Sequence, residues 1–155
     1  MIVTLENLPA IREQHKGQKI VLTSGTFDLF HVGHLHYLEA VRELGDIVVV
    51  LLSSDARTKA RKGPKRPIIP EQDRAAILDA LEIVDYVMID PATSAPDQVD
   101  EVHTEIVKTL NPDLYATDGE DPRFFSIMSQ DKLRVLPRSG EQVSTSAIIE
   151  RIASL

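Results

Sequence analysis

His31 and His34, three residues apart, stand where a β-branched run gives way to a helical pattern. The run between strand and helix reads Ser24-Gly25-Thr26-Phe27-Asp28-Leu29-Phe30-His31-Val32-Gly33-His34. It is neither G-x-G-x-x-G nor G-x-x-x-x-G-K-[ST], so the two commonest phosphate-loop readings fail. Side chains at i and i+3 share a helix face, and the free N–H groups of a helix start favour an anion. Two imidazoles in that place add N–H donors able to contact a phosphate chain. Gly33 removes a side chain where a ligand must approach closely, and Gly25 gives the strand end its freedom. The structural alternative is that His31 caps the helix and His34 packs, with a metal-binding pair as a further reading. Two histidines, an intervening glycine and a strand–turn–helix setting together favour chemistry. His36 falls on a different face and is read as structural.

A second feature lies further along. Residues 57–66 (RTKARKGPKR) hold Arg57, Lys59, Arg61, Lys62, Lys65 and Arg66 and no acid. The 155-residue chain carries a net charge of −7, so without these six positive charges the remainder stands at −13. Such a run is ordinarily a solvated loop or a nucleic-acid patch. It contains no aromatic residue, which argues against base stacking, and the acidic balance disfavours nucleic-acid binding over the whole surface. Its place after an apolar strand puts it on the ligand-binding edge of a parallel sheet, where it reads as a phosphate clamp. Lys65 and Arg66 are read as surface residues.

The elements that must position these groups follow from the alternation of β-branched runs and helical patterns. Strands are expected at 19–23, 46–53, 86–89, 113–117 and 132–136. Helices are expected at 33–44 (closed by Gly45 as a C′ residue), at 70–83, 97–110 and 144–153. The basic run and residues 91–96 are read as loops, and 124–130 is left unassigned. The expectation is an α/β, Rossmann-like open parallel sheet of about five strands with helices on both faces, formed by one domain over 1–155. With 43% hydrophobic and 26% charged residues the composition is globular. The absence of cysteine excludes disulfides, thiolate zinc sites and cysteine nucleophiles. No apolar run approaches the ~18–20 residues of a membrane helix, and the first residues lack the layout of a secretory signal. A cytoplasmic protein with no membrane and no nucleic-acid partner is the expectation.

The stretch GTFDLFHVGHLHYLEAVRELGD resembles the HxGH signature of the cytidylyltransferase-like nucleotidyltransferases. SSDARTKARKGPKRPIIPEQDRAAILDALEIVDYV resembles the second block of that family, and VSTSAIIERI resembles its C-terminal Ser/Thr-rich helix start. The resemblance implies transfer of a nucleotidyl group from a nucleoside triphosphate to a phosphorylated acceptor, with release of pyrophosphate. His31 and His34 would contact the triphosphate and stabilise charge building on the α-phosphate. Thr26 and Phe27 would supply turn contacts near the phosphates. Lys59 and Lys62 match mobile-loop lysines that clamp phosphates, Arg74 an arginine near substrate phosphate, and Ser144, Thr145 and Ser146 the motif that holds phosphates at a helix start. Mg2+ is expected with the triphosphate, held by its oxygens and water; no protein metal ligand is named, Asp28 being the nearest acid.

Three branches of the family compete for the substrate. They are sugar-phosphate adenylyltransferases of the heptose type, glycerol- or alcohol-phosphate cytidylyltransferases, and archaeal-type FMN adenylyltransferases. ATP is favoured over CTP and a sugar phosphate over other acceptors. Two departures bear on this choice. Residues 116–121 read Ala-Thr-Asp-Gly-Glu-Asp where several relatives have a Gly-Asp pair before an aromatic, and Ile149 replaces an arginine of some branches, with Arg151 two residues on. A different class, a non-catalytic nucleotide-binding regulatory module, is opposed by the presence of His31, Gly33, His34, Lys59 and Lys62. A homodimer is also expected, its interface drawn from the apolar side chains of 75–84, although the core needs the same pattern.

Overall fold

The computed structural model describes residues 1–92, 96–119, 122–137 and 144–155. In chain order the elements are β1 (Ile2–Val3), α1 (Leu8–Gln14), β2 (Ile20–Gly25), α2 (Val32–Arg42), β3 (Ile47–Leu52), α3 (Asp55–Lys62) and α4 (Glu71–Asp79). They continue with β4 (Tyr86–Ile89), α5 (Pro96–Leu110), β5 (Leu114–Thr117), α6 (Pro122–Ile127), β6 (Leu133–Val135) and α7 (Thr145–Ala153). The strands form one sheet in the order β1-β4-β3-β2-β5-β6, every neighbouring pair parallel. β3 is buried at every position, as a strand covered on both faces must be. The α/β, Rossmann-like open parallel sheet is therefore present, with six strands in place of about five. The addition is β1, whose two residues are too short to show a period.

Alternate residues of each strand feed two cores. Ile20, Leu22, Val49, Leu51, Met88 and Tyr115 pack with Leu8 and Ile11 of α1, Ile106 and Leu110 of α5, and Phe124 of α6. Val21, Val48, Val50, Val87 and Ala116 pack with Tyr37, Leu38 and Val41 of α2 and with Ala75 and Leu78 of α4. Helices cover both faces as expected.

Several local expectations are corrected. The basic run is not a loop: residues 55–62 are the helix α3. Ser54 caps it by accepting from Arg57 N–H, Asp55 sits at its positive end, Lys59, Arg61 and Lys62 sit at its negative end, and Gly63 at φ 93° stops it. Gly45 does not take the left-handed conformation. It is required because a Cβ there would lie 2.7 Å from Val21 Cγ2 and 2.8 Å from the Lys19 carbonyl oxygen. α4 ends at Asp79, and Leu81–Val84 is a turn leading into β4. Of residues 124–130, the first four belong to α6 and Gln130 opens a 3-10 turn at Gln130–Lys132, with Met128 and Ser129 linking them. Of the expected loop 91–96, residues 93–95 lie outside the described residues, as do Glu120 and Asp121 of the departure at 116–121.

The topology fixes where a ligand goes. From β2 the chain builds outward through β3 to β4, and α5 then carries it back to β5 on the other side of β2. The order in which strands are added reverses between β2 and β5, and the crevice of such a sheet opens at the carboxyl ends of those two strands.

Candidate active site

β2 ends at Gly25, where a Cβ would stand 2.6 Å from Phe27 Cε2. The Phe27 ring thus folds back over the strand end. Phe27 and Leu29 both take positive φ, 49° and 46°. Left-handed backbone at non-glycine residues costs on the order of 1–3 kcal/mol each and persists only where the surroundings enforce it. Asp28, between them and 1% exposed, supplies the enforcement. Its carboxylate accepts from Arg66 Nε at 2.9 Å and from the N–H groups of Ile68 and Ile69 at 3.0 Å. Its carbonyl accepts from Thr145 Oγ1 at 2.7 Å. Burial alone would raise the Asp28 pKa, but the Ile69 and Ile68 amides and Arg66 outweigh it and hold the carboxyl below its ordinary value.

Arg74, also 1% exposed, braces the same turn from below. It donates to the carbonyls of Thr26 (2.6 Å), Ser53 (2.9 Å) and Ile69 (2.8 Å) and to Asp55 Oδ1 (2.7 Å). The two residues read from the sequence as substrate-binding, Asp28 and Arg74, thus direct their charged groups into the protein. What they do is shape the 26–30 turn.

That turn delivers His31 as the N-cap of α2, with Nδ1 accepting from Gly33 N–H at 3.2 Å. This bond leaves the ring proton of the neutral tautomer on Nε2. The His31 and His34 rings stack with centroids 3.8 Å apart. Phe27 meets His34 edge-on at 5.3 Å, and Phe30 stands 5.5 Å away. Burial, then His31 and Lys62, push the His34 pKa down to about 4 against the opposing pull of Asp28. Burial lowers that of His31 as well. Around neutral pH His34 is an uncharged hydrogen-bonding group. Its buried Nδ1 and the buried Thr26 Oγ1 have no hydrogen-bond partner among the described residues.

The structure brings the other expected groups to the same edge. Lys62, in the last turn of α3, remains accessible, yet partial loss of hydration together with Arg61 and Arg66 lowers its pKa; Asp28 and Asp118 oppose the shift. Lys59 lies on the same helix and is exposed. Ser144 caps α7 by accepting from Ala147 N–H at 3.1 Å, and the Thr145 bond to Asp28 holds this helix start against the 26–30 turn. Ser146 is exposed.

Asp118, from the departure at 116–121, lies at the carboxyl end of β5, near enough to act on Lys62 and Tyr37. Sequence reasoning missed the bonds that close the seam there. Tyr37 Oη shares a bond with Thr23 Oγ1 (2.7 Å) and donates to the Ala116 carbonyl (3.0 Å), and Ser24 meets Tyr115 Oη at 2.7 Å. No motif marks these residues; only strand order reveals them. Among the described residues no group of three or more His, Cys, Asp or Glu side chains is placed to hold a metal ion, so the metal reading of the histidine pair lacks a third ligand. No helix is long and apolar enough to cross a membrane among the described residues.

A family model described as cytidylyltransferase-like matches residues 22–151. The bifunctional protein HldE of Citrifermentans bemidjiense is 40% identical over 152 residues, covering 92% of this chain and 29% of that protein. HldE of Helicobacter pylori strain G27 is 41% identical over 153 residues, covering 97% of this chain and 31% of that protein. The chain thus spans less than a third of the length of these relatives. Among solved structures, the lipopolysaccharide core biosynthesis protein from Thermoplasma volcanium is 27% identical with a TM-score of 0.56, over 77% of this chain and 93% of that one. Pantoate-beta-alanine ligase from Francisella tularensis, complexed with beta-gamma ATP and beta-alanine, shares the fold. Its TM-score is 0.62 at 17% identity, over 100% of this chain and 78% of that one.

Proposed function

The chain belongs to the cytidylyltransferase-like family of nucleotidyltransferases, and on that footing we propose that it transfers AMP from ATP to a sugar phosphate with release of pyrophosphate. The observation that carries this reading is the stacked His31–His34 pair at the start of α2, with Lys62 of α3 near enough to act on His34 and the start of α7 tied to the same turn. The acceptor phosphate is the nucleophile and is already ionised, so no general base is needed. Its oxygen forms a bond to the α-phosphorus, the bond from that phosphorus to the bridging oxygen breaks, and pyrophosphate leaves. His31 and His34 donate N–H to the α-phosphate as charge gathers there, while Lys59 and Lys62 take the charge of the departing phosphates. Catalysis is then positioning plus electrostatic stabilisation. Thr26, Phe27 and the Ser144–Ser146 helix start line the phosphate path. Both Asp28 oxygens are engaged by the protein, so its carboxylate does not fit a resident metal; Mg2+ enters as part of the nucleotide substrate.

A sugar phosphate is favoured by the likeness of the 53–74 block to the heptose-type branch, and by similarity to a lipopolysaccharide core biosynthesis protein at 27% identity. The test is pyrophosphate release with ATP and CTP against sugar phosphates, glycerol 3-phosphate and FMN. ATP with a sugar phosphate should turn over fastest. His34→Ala should lower kcat by about 10²–10³, the loss seen when one transition-state donor is removed. Turnover with no acceptor, together with measurable nucleotide binding, would make the chain a regulatory module instead.

A further inference from the structure

Helix α3 carries both clamp lysines yet has nothing apolar to hold it down. Its alanines, Ala56 and Ala60, are exposed, and the residues it buries are Arg57 and Thr58. A helix this short does not persist on propensity alone. Its place on the sheet is therefore set by polar contacts. Near its start, Asp55 N–H donates to Glu71 Oε2 at 2.6 Å and the Asp55 carboxylate meets Arg74. Further along, Thr58 donates to Ser53 Oγ at 3.3 Å. Arg57 Nε lies 2.9 Å from Asp90 Oδ2, with both side chains buried.

Asp90 itself is fixed independently of α3. It follows β4 at the carboxyl edge of the sheet and is 4% exposed. Its Oδ2 also meets His103 Nε2 of α5 at 2.8 Å, and its Oδ1 accepts from Ala92 N–H at 2.9 Å. His103 is stacked on Phe124, with centroids 5.0 Å apart. The carboxylate is thus anchored to β4 and α5, and α3 reaches it through one guanidinium. Two buried charges of this kind hold each other because neither tolerates the loss of the other.

We propose that Asp90 is a positioning residue for nucleotidyl transfer: through Arg57 it latches α3 to the sheet and so aims Lys59 and Lys62 at the crevice. The inference rests on reading that crevice as the triphosphate site, and it makes a remote carboxylate act on phosphates it does not touch.

A double-mutant cycle tests it. Asp90→Asn alone should lower kcat/KM about tenfold or more, since small misplacements of a clamp are costly. In a Lys59→Ala/Lys62→Ala background it should cost less than about twofold, because coupled residues do not add. Arg57→Gln should match Asp90→Asn, and Arg57→Lys should recover part of the loss; if Asp90→Asn does not fold, Arg57→Gln carries the same comparison. Equal losses with and without the lysines would overturn the latch. Amide exchange supplies a readout independent of turnover: in Asp90→Asn the α3 amides should exchange at least about tenfold faster than in the unsubstituted protein, with α2 unchanged. Unchanged α3 exchange would also overturn it. Faster α3 exchange in a chain that turns over no acceptor would support the latch while removing the transferase reading.

Discussion

His34 is held at a pKa of about 4 by burial, by His31 and by Lys62, whereas an unfolded chain returns it to about 6.5. The folded state thus resists a proton that the unfolded state accepts. Stability from this source is complete above about pH 6.5 and declines as the pH falls toward 4. Below that window the lowered pKa of Asp28 adds a second loss, as its carboxylate is protonated and releases Arg66. Urea midpoints measured from pH 7 to 4.5 should fall steadily, and His34→Gln should flatten the fall; a wild-type midpoint constant over that range would contradict the assigned burial. Asp28→Asn should cost about 3 kcal/mol or more by denaturation at pH 7, since it strands a mostly buried guanidinium and loosens two left-handed residues. The histidine pair was legible from spacing alone. The inward roles of Asp28 and Arg74 were not, because their partners lie 38–41 and up to 48 positions away.

Helix α3 shows what a charge run conceals. Hydrophobic period is the main sign of a helix, and this one has none, so only Ser54, Asp55 and Gly63 at its ends betrayed it. Gly45 shows the converse, a C-terminal glycine whose need is close packing. Gly45→Ala should destabilise by about 1–3 kcal/mol through overpacking against Val21 and the Lys19 carbonyl, checked by chemical denaturation. For α7, removing the Thr145 hydroxyl cuts its bond to the histidine turn. Thr145→Val should raise the KM for the nucleotide several-fold while costing stability only about 1 kcal/mol. A KM that does not move would detach α7 from the phosphate path.

Taken whole, the molecule is an acidic body with a cationic edge. A triphosphate approaching it meets a repulsive average and an attractive mouth, so the nucleotide KM should rise with ionic strength, and less steeply in Lys59→Ala/Lys62→Ala. A KM insensitive to salt would place binding elsewhere. The sheet and its two helical faces were legible at this scale because strands and helices alternate plainly. The segment 75–84, read as serving either an interface or the core, gives Ala75, Leu78 and Val84 to the core and leaves Ile77 exposed. Strand order carries one more consequence, in time. The crevice lies on a parallel seam whose sides are remote in sequence, with Asp113 bonded to Ile20, 93 positions away. Contacts of that span form late, because the loop must close before they repay its entropy. A chain emerging from the ribosome would therefore display both histidines long before it had a floor for the nucleotide, and the Thr145 tie to their turn would follow later still. During refolding, activity should return with the last kinetic phase, after most of the secondary structure has formed.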